Sequence, residues 1–236
     1  MLDGLLTSLD GILLGTLPYV VMALCLIGTI HRYRSQAFTY SSLSSQFLEN
    51  RHHFWGSVPF HYGILTLTAG HLVGFAIPRS VLAWNAVPVR LYVIEVAAFV
   101  AGLLTLVGLV NIVVRRLTDS KSRIVTSGID WAVYLLLLSQ TVTGLGTAMF
   151  YGWGSSWFAS SASPYLWSLV TLQPDVSYVT ALPWFVKLHV IGAWLLIGLF
   201  PFSRLVHILV VPNPYLWRKW QMVRWYWDRR TIRRAE

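Results

Sequence analysis

Apolar residues gather along the chain into five blocks, at about 10 to 30, 54 to 77, 88 to 114, 129 to 151 and 183 to 211. Within each block the apolar run is nearly continuous rather than alternating, and each is long enough for the roughly 20 residues that cross a bilayer as a helix. The pattern predicts an all-α membrane protein, a bundle of five transmembrane helices. An odd number of spans places the two termini on opposite sides. The fifth block is the longest, so its final turn is expected to emerge into the interface, or the whole span to run tilted. No internal repeat of useful length is visible, which argues against an inverted-repeat transporter.

The polar segments between the blocks are of two kinds. The stretch from Trp153 to Leu182 has no Lys or Arg and mixes small polar residues with Trp and Tyr, a composition suited to an outer membrane interface. The other kind is basic. Arg32, Arg34 and Arg51 follow span one; Arg115, Arg116, Lys121 and Arg123 follow span three; Arg218, Lys219, Arg224, Arg229, Arg230, Arg233 and Arg234 follow span five. The opposite side has Arg79 and Arg90, both between spans two and three. Positive charge accumulates on the cytoplasmic side of membrane proteins, so the N-terminus is expected outside and the C-terminus in the cytoplasm.

Composition agrees. Only 11% of the 236 residues are charged, where a soluble domain would have about 25%. The net charge of +9 does not mark a nucleic-acid binder, because the basic residues flank spans instead of covering a folded face. Anionic lipid headgroups and acidic partner surfaces are the expected counterparts. The opening "MLDGLLTSLDGILLGTLPYVV" lacks a basic leading region and a small-residue cleavage site, and is expected to be a retained first span. Residues 1–211 thus form the membrane domain. Residues 212–236 form a cytoplasmic tail in which Trp217, Trp220, Trp225 and Trp227 interleave with the basic residues. That tail suits a membrane-surface helix or a partner-docking arm equally.

Candidate chemistry lies in the histidines. Four of seven fall within spans, His61 and His71 in span two and His189 and His207 in span five. Ionisable groups in a span are rare and by default functional. His31, His52 and His53 lie in the basic loop, where a solvated role is expected. Spans two and five run antiparallel, so His61 shares a depth with His207 and His71 with His189. Two pairs at two depths suit two haems with bis-imidazole ligation. The sole cysteine, Cys25, excludes an internal disulfide, a cysteine-held iron–sulfur cluster and covalent haem attachment. Zinc would need three or four ligands at one depth, and a proton relay would want more carboxylates than Glu95 and Asp130. Asp130 follows "TSG" and reads as a first-turn residue favoured by the helix dipole.

Spacing fits less evenly. Eighteen residues at about 100° each bring His189 and His207 onto one face of a continuous helix, whereas the ten-residue step leaves His61 and His71 about 80° apart. Gly63, Gly70, Gly74, Gly192 and Gly198 would leave room for a flat macrocycle or serve ordinary helix packing. Arg204 and Lys187, close before their histidines, would pair with haem propionates or snorkel to headgroups.

The segments "FHYGILTLTAGHLVGF", "KLHVIGAW" and "LFPFSRLVHILVVPNPYLWRKWQMVR" resemble the gamma subunit of membrane-bound respiratory nitrate reductase, a dihaem cytochrome b. "RYRSQAFTYSSLSSQFLENR" after span one and "TSGIDWAVYLLLLSQTVTGLGT" at span four extend the likeness over nearly the whole chain. The resemblance implies a prokaryotic cytoplasmic-membrane protein with two haem b groups. His61 and His207 would be the axial ligands of the proximal haem near the cytoplasm, and His71 and His189 those of the distal haem near the outer face. It implies that quinol is oxidised beside the distal haem, where Gly70 and His71 match family positions. Electrons would then pass through distal and proximal haem to an iron–sulfur subunit and a molybdenum catalytic subunit on the cytoplasmic face. One departure stands out: the family's lysine near the outer end of span three is missing from "VPVRLYVIE". Arg90 is the nearest basic residue, but a permanently charged guanidinium cannot exchange protons as lysine does. A dihaem subunit of a related nitrite-oxidising or sulfur-metabolism complex, and a non-redox membrane anchor, are the alternative readings.

Overall fold

The computed structural model describes residues 9–36, 39 and 53–209, and among these all regular structure is helical. The expectations for the tail from residue 212, and for Arg51 and His52, fall outside the described residues. Five long helices dominate: α1 (Leu17–Ser35), entered through a π-helical turn at Gly11–Thr16, α2 (His53–Ala76), α3 (Pro88–Thr118), α4 (Gly128–Phe150) and α5 (Trp184–Leu199).

Local chemistry sets their ends. α1 and α3 begin with Pro in the first turn, where a missing N–H deprives the helix of nothing. α4 opens on a capping box: Asp130 N donates to Ser127 Oγ at 3.2 Å while Ser127 N donates to Asp130 Oδ2 at 2.8 Å. This is the first-turn role expected of Asp130. α2 stops before Pro78, since a residue preceding proline avoids the helical region; Ile77 has φ −133° and ψ 55°. The chain turns by 104° there into the short helix Pro78–Asn85.

Among the described residues four helical stretches are long and apolar enough to cross a membrane: Gly11–Ser35, Pro88–Thr118, Gly128–Phe150 and Trp184–Phe202. The bent pair Trp55–Ala76 and Pro78–Asn85 reaches that standard only taken together, giving a fifth. α2 is long enough, at 24 residues, or about 36 Å at 1.5 Å per residue. Its histidines, serine and threonines dilute its apolarity. A multi-pass membrane protein is the result, and exposed residues such as Val89, Leu135, Phe150 and Trp184 are where such a protein meets lipid.

Span five departs from the single block expected to run to 211. The α-helix ends at Leu199, a 3₁₀ turn covers Phe200–Phe202, Ser203 is extended (φ −106°, ψ 179°), and a second 3₁₀ segment runs Arg204–Leu209. Pro201 is the cause, having no N–H for the helical ladder and a ring that crowds the preceding turn. The freed carbonyls are taken by α1: Arg32 Nη1 donates to Pro201 O at 2.7 Å and to Ser203 O at 2.9 Å.

α2 packs chiefly on α3, and α5 on α4 and α1. The α2–α3 seam is backbone-close, because a Cβ at Gly63 would stand 2.5 Å from Ala101 O and one at Gly108 would stand 2.6 Å from Gly56 O. The stretch from Trp153 to Leu182, expected to be a loop, contains helical turns. It folds back as Gly154–Trp157, a π-helical turn at Phe158–Ala162 and the helix Ser163–Val170. Tyr165, fully buried, donates to Leu14 O at 2.7 Å, and Tyr19 donates to Leu169 O at 3.1 Å. Glu95 accepts from both N and Oγ of Ser155 at 2.8 and 2.7 Å, which ties this segment to α3.

Candidate functional site

The structure brings His61 together with His207 and His71 together with His189. The ring centroids of His61 and His207 are 6.4 Å apart, as are those of His71 and His189. An imidazole nitrogen binds a first-row metal at about 2 Å, so each pair would leave room for one metal ion between its rings. Both pairs could therefore hold one iron between two imidazoles. Among the described residues no cluster of three or more His, Cys, Asp or Glu forms, so neither pair is a fragment of a tetrahedral shell.

Tautomers sharpen the fit. His61 Nδ1 meets Ser57 O at 2.7 Å, His71 Nδ1 meets Leu67 O at 2.8 Å, and His207 Nδ1 meets Arg204 O at 2.6 Å. A carbonyl only accepts, so each Nδ1 carries the hydrogen and each Nε2 keeps a lone pair for a metal. This is the second-partner arrangement that orients metal-bound histidines. His189 differs in partner, its Nδ1 lying 3.0 Å from Thr143 Oγ1.

The two pairs are held by different parts of the fold. His61 and His71 ride on one unbroken helix, α2. His189 sits on α5 proper, whereas His207 belongs to the 3₁₀ segment beyond the Pro201 break. The shared-face argument drawn from a continuous fifth helix therefore fails, and the break is what lets His207 be placed separately from His189. Phe158 packs edge-on against His71 with centroids 5.2 Å apart.

Of the glycines expected to open space, most are packed. Gly63 abuts Ala101 and Thr105, Gly74 would meet Phe158 at 2.8 Å, Gly192 receives Gln140, and Gly198 would meet Val21 at 3.2 Å. Only Gly70 among the five has nothing within 4 Å of its Cβ position. Arg204 Nε donates to Asp130 Oδ1 at 2.8 Å, and Lys187 Nζ donates to Asp10 Oδ2 at 2.5 Å. Arg90 is exposed, with its guanidinium 4.9 Å over the Trp84 ring.

Thr143, Gln140, Phe158 and the Asp130–Arg204 pair are features of the site that sequence reasoning missed. Each depends on contacts between segments far apart in the chain. Sequence spacing gave no signal for them.

Fold and site together define a polytopic helical membrane protein carrying two interhelical imidazole pairs. Known proteins place it further. Residues 10–226 match the family model described as nitrate reductase gamma subunit. The chain is 33% identical over 217 residues to the nitrate reductase gamma chain of Bacillus subtilis, covering 90% of this chain and 97% of that one. It is 34% identical over 212 residues to the respiratory nitrate reductase 1 gamma chain of Escherichia coli, covering 88% and 93%. It is also 33% identical over 212 residues to the nitrate reductase-like protein NarX of Mycobacterium tuberculosis, covering 88% of this chain and 32% of that one. The chain belongs to the nitrate reductase gamma subunit family.

Proposed function

We propose that the chain is the quinol-oxidising, dihaem cytochrome b subunit of a respiratory nitrate reductase, set in the cytoplasmic membrane of a prokaryote with its N-terminus outside. The observation that carries this reading is a repetition: two imidazole pairs, both with centroids 6.4 Å apart, each with Nδ1 engaged elsewhere. Haem b, when bound, would supply the one-electron chemistry that the side chains lack. His61 and His207 would hold the group nearer the cytoplasm, and His71 and His189 the outer one.

Gly70 opens space on α2 beside His71, and this is where a quinol headgroup would approach. Arg90, in the first turn of α3, is the candidate cation, and its charge would orient an anionic headgroup without accepting a proton. Protons leave outward, and electrons go inward to iron–sulfur and molybdenum subunits on the basic face. Asp130 and Asp10 already pair with Arg204 and Lys187, so a propionate role for these two cations means exchanging one carboxylate for another.

The test is a reduced-minus-oxidised visible spectrum of the complex purified from its native membrane, with haem counted per chain. Two haems, a sharp alpha band, reduction by a quinol analogue and reoxidation by nitrate are expected. His61→Ala and His71→Ala are each expected to remove one haem. Retention of both haems in either variant, or no haem in the unaltered chain, overturns the reading; a lack of reoxidation by nitrate overturns the assignment of acceptor.

A further inference from the structure

Three of the four histidines take their orientation from their own chain segment. Ser57, Leu67 and Arg204 lie three or four residues before the ring they hold, so the hydrogen bond comes with the local helix. His189 is held from another helix. Its Nδ1 reaches Thr143 Oγ1 on α4, 46 residues away in sequence.

The direction of that bond follows from the neighbours of Thr143. Its hydroxyl has one hydrogen, which it gives to Ser139 O at 2.7 Å, the usual back-bond of a helical threonine. A longer approach to Gln140 O at 3.3 Å competes for the same hydrogen. Toward His189 the oxygen can only accept, so Nδ1 donates and Nε2 is left as the lone-pair nitrogen. The hydroxyl, with the backbone of Gln140 that also hydrogen-bonds this ring, thus fixes which nitrogen faces His71.

Two features of the α4–α5 seam hold it in register. At Gly144, the next residue, a Cβ would stand 3.1 Å from His189 Cε1, so the ring lies against bare backbone of α4. One turn before Thr143, the Gln140 side chain occupies the notch at Gly192, one turn after His189. Positions 140 and 143 of α4 therefore interlock with positions 192 and 189 of α5.

We propose that Thr143 is a positioning residue for His189, setting the tautomer and ring rotation of the outer imidazole pair from a neighbouring helix. The proposal rests on reading that pair as a haem-binding site. An acceptor on Nδ1–H makes an imidazole a stronger electron donor and favours the oxidised metal. Removing the acceptor is therefore expected to raise the midpoint potential of the outer haem alone.

The experiment compares Thr143→Val, which keeps the shape and loses the hydroxyl, with Thr143→Ser, which restores it, in the intact complex. Haem per chain, the potential of each haem and the low-spin electron paramagnetic resonance signals are read. The Val variant is expected to shift one haem upward in potential, alter its signal and leave the other haem unmoved, with Ser returning both readings. Loss of one haem in Val with retention in Ser has the same meaning. Unchanged spectra and potentials in Val, an equal shift in both haems, or the same loss in Val and Ser overturns the proposal. His189→Ala separates the two failures: if it retains both haems, the haem-pair reading falls as well.

Discussion

Gly63 and Gly70 stand two turns apart on α2 under opposite demands. A Cβ at Gly63 would press into Ala101 O and Thr105, where backbone cannot yield, whereas one at Gly70 meets open space. Overpacking a close seam costs about 1–3 kcal/mol or more. Gly63→Val is therefore expected to lower the yield of folded, haem-containing complex sharply, while Gly70→Ala leaves haem content and spectrum intact and acts, if at all, on the Michaelis constant for quinol. Equal haem loss in the two variants would contradict this. The four paired histidines were legible because an ionisable group in an apolar run is conspicuous. Their Nδ1 partners were not, since one is a threonine on another helix. Nor were the carboxylates of Asp10 and Asp130 that meet Lys187 and Arg204 from far along the chain.

At the scale of elements, the two departures from expectation share a cause. The block 183–211 reads as one helix because hydropathy is blind to a single proline, yet Pro201 ends α5 and Arg32 takes the released carbonyls. The segment 154–170 reads as an interface loop because it is rich in Ser, Trp and Tyr, yet it is helical, with Tyr165 buried against Leu14 and the exposed Trp167 donating to Phe75 O. Polar tips on apolar rings allow both outcomes, and only a partner decides. Tyr165 offers a check on this inward fold. Burial pushes its phenol from 10.0 to about 12, so the folded chain holds the proton longer than the unfolded one. The resulting stabilisation is full below pH 10 and is lost as pH rises towards about 12. Alkaline unfolding in detergent is expected to show a step in that window, absent from Tyr165→Phe, which should also be destabilised by about 1 kcal/mol at neutral pH. An identical alkaline profile for both would mean that the phenol is not buried.

For the whole molecule, the bundle sets α2 against α3 and α5 against α4 and α1, leaving the histidine pairs to face each other across the remaining gap. If electrons move inward through the two sites, they do so against a membrane potential that opposes them by about 2.3 kcal/mol per 100 mV. The His61/His207 haem is therefore expected to have the higher midpoint potential. Redox titration of the His71→Ala variant, which keeps only the inner haem, checks this, and a lower potential there than in His61→Ala would reverse the order. Sequence by itself determined that the chain is a series of apolar helices, the charge asymmetry and the pairing of His61 with His207 and of His71 with His189, because those follow from local hydropathy and from counting crossings. Tertiary structure alone decided where span five breaks in space, which glycines are filled, which carboxylate each cation meets and which helix orients His189. Those are contacts between residues distant in the chain, and no local pattern encodes a distance between two helices.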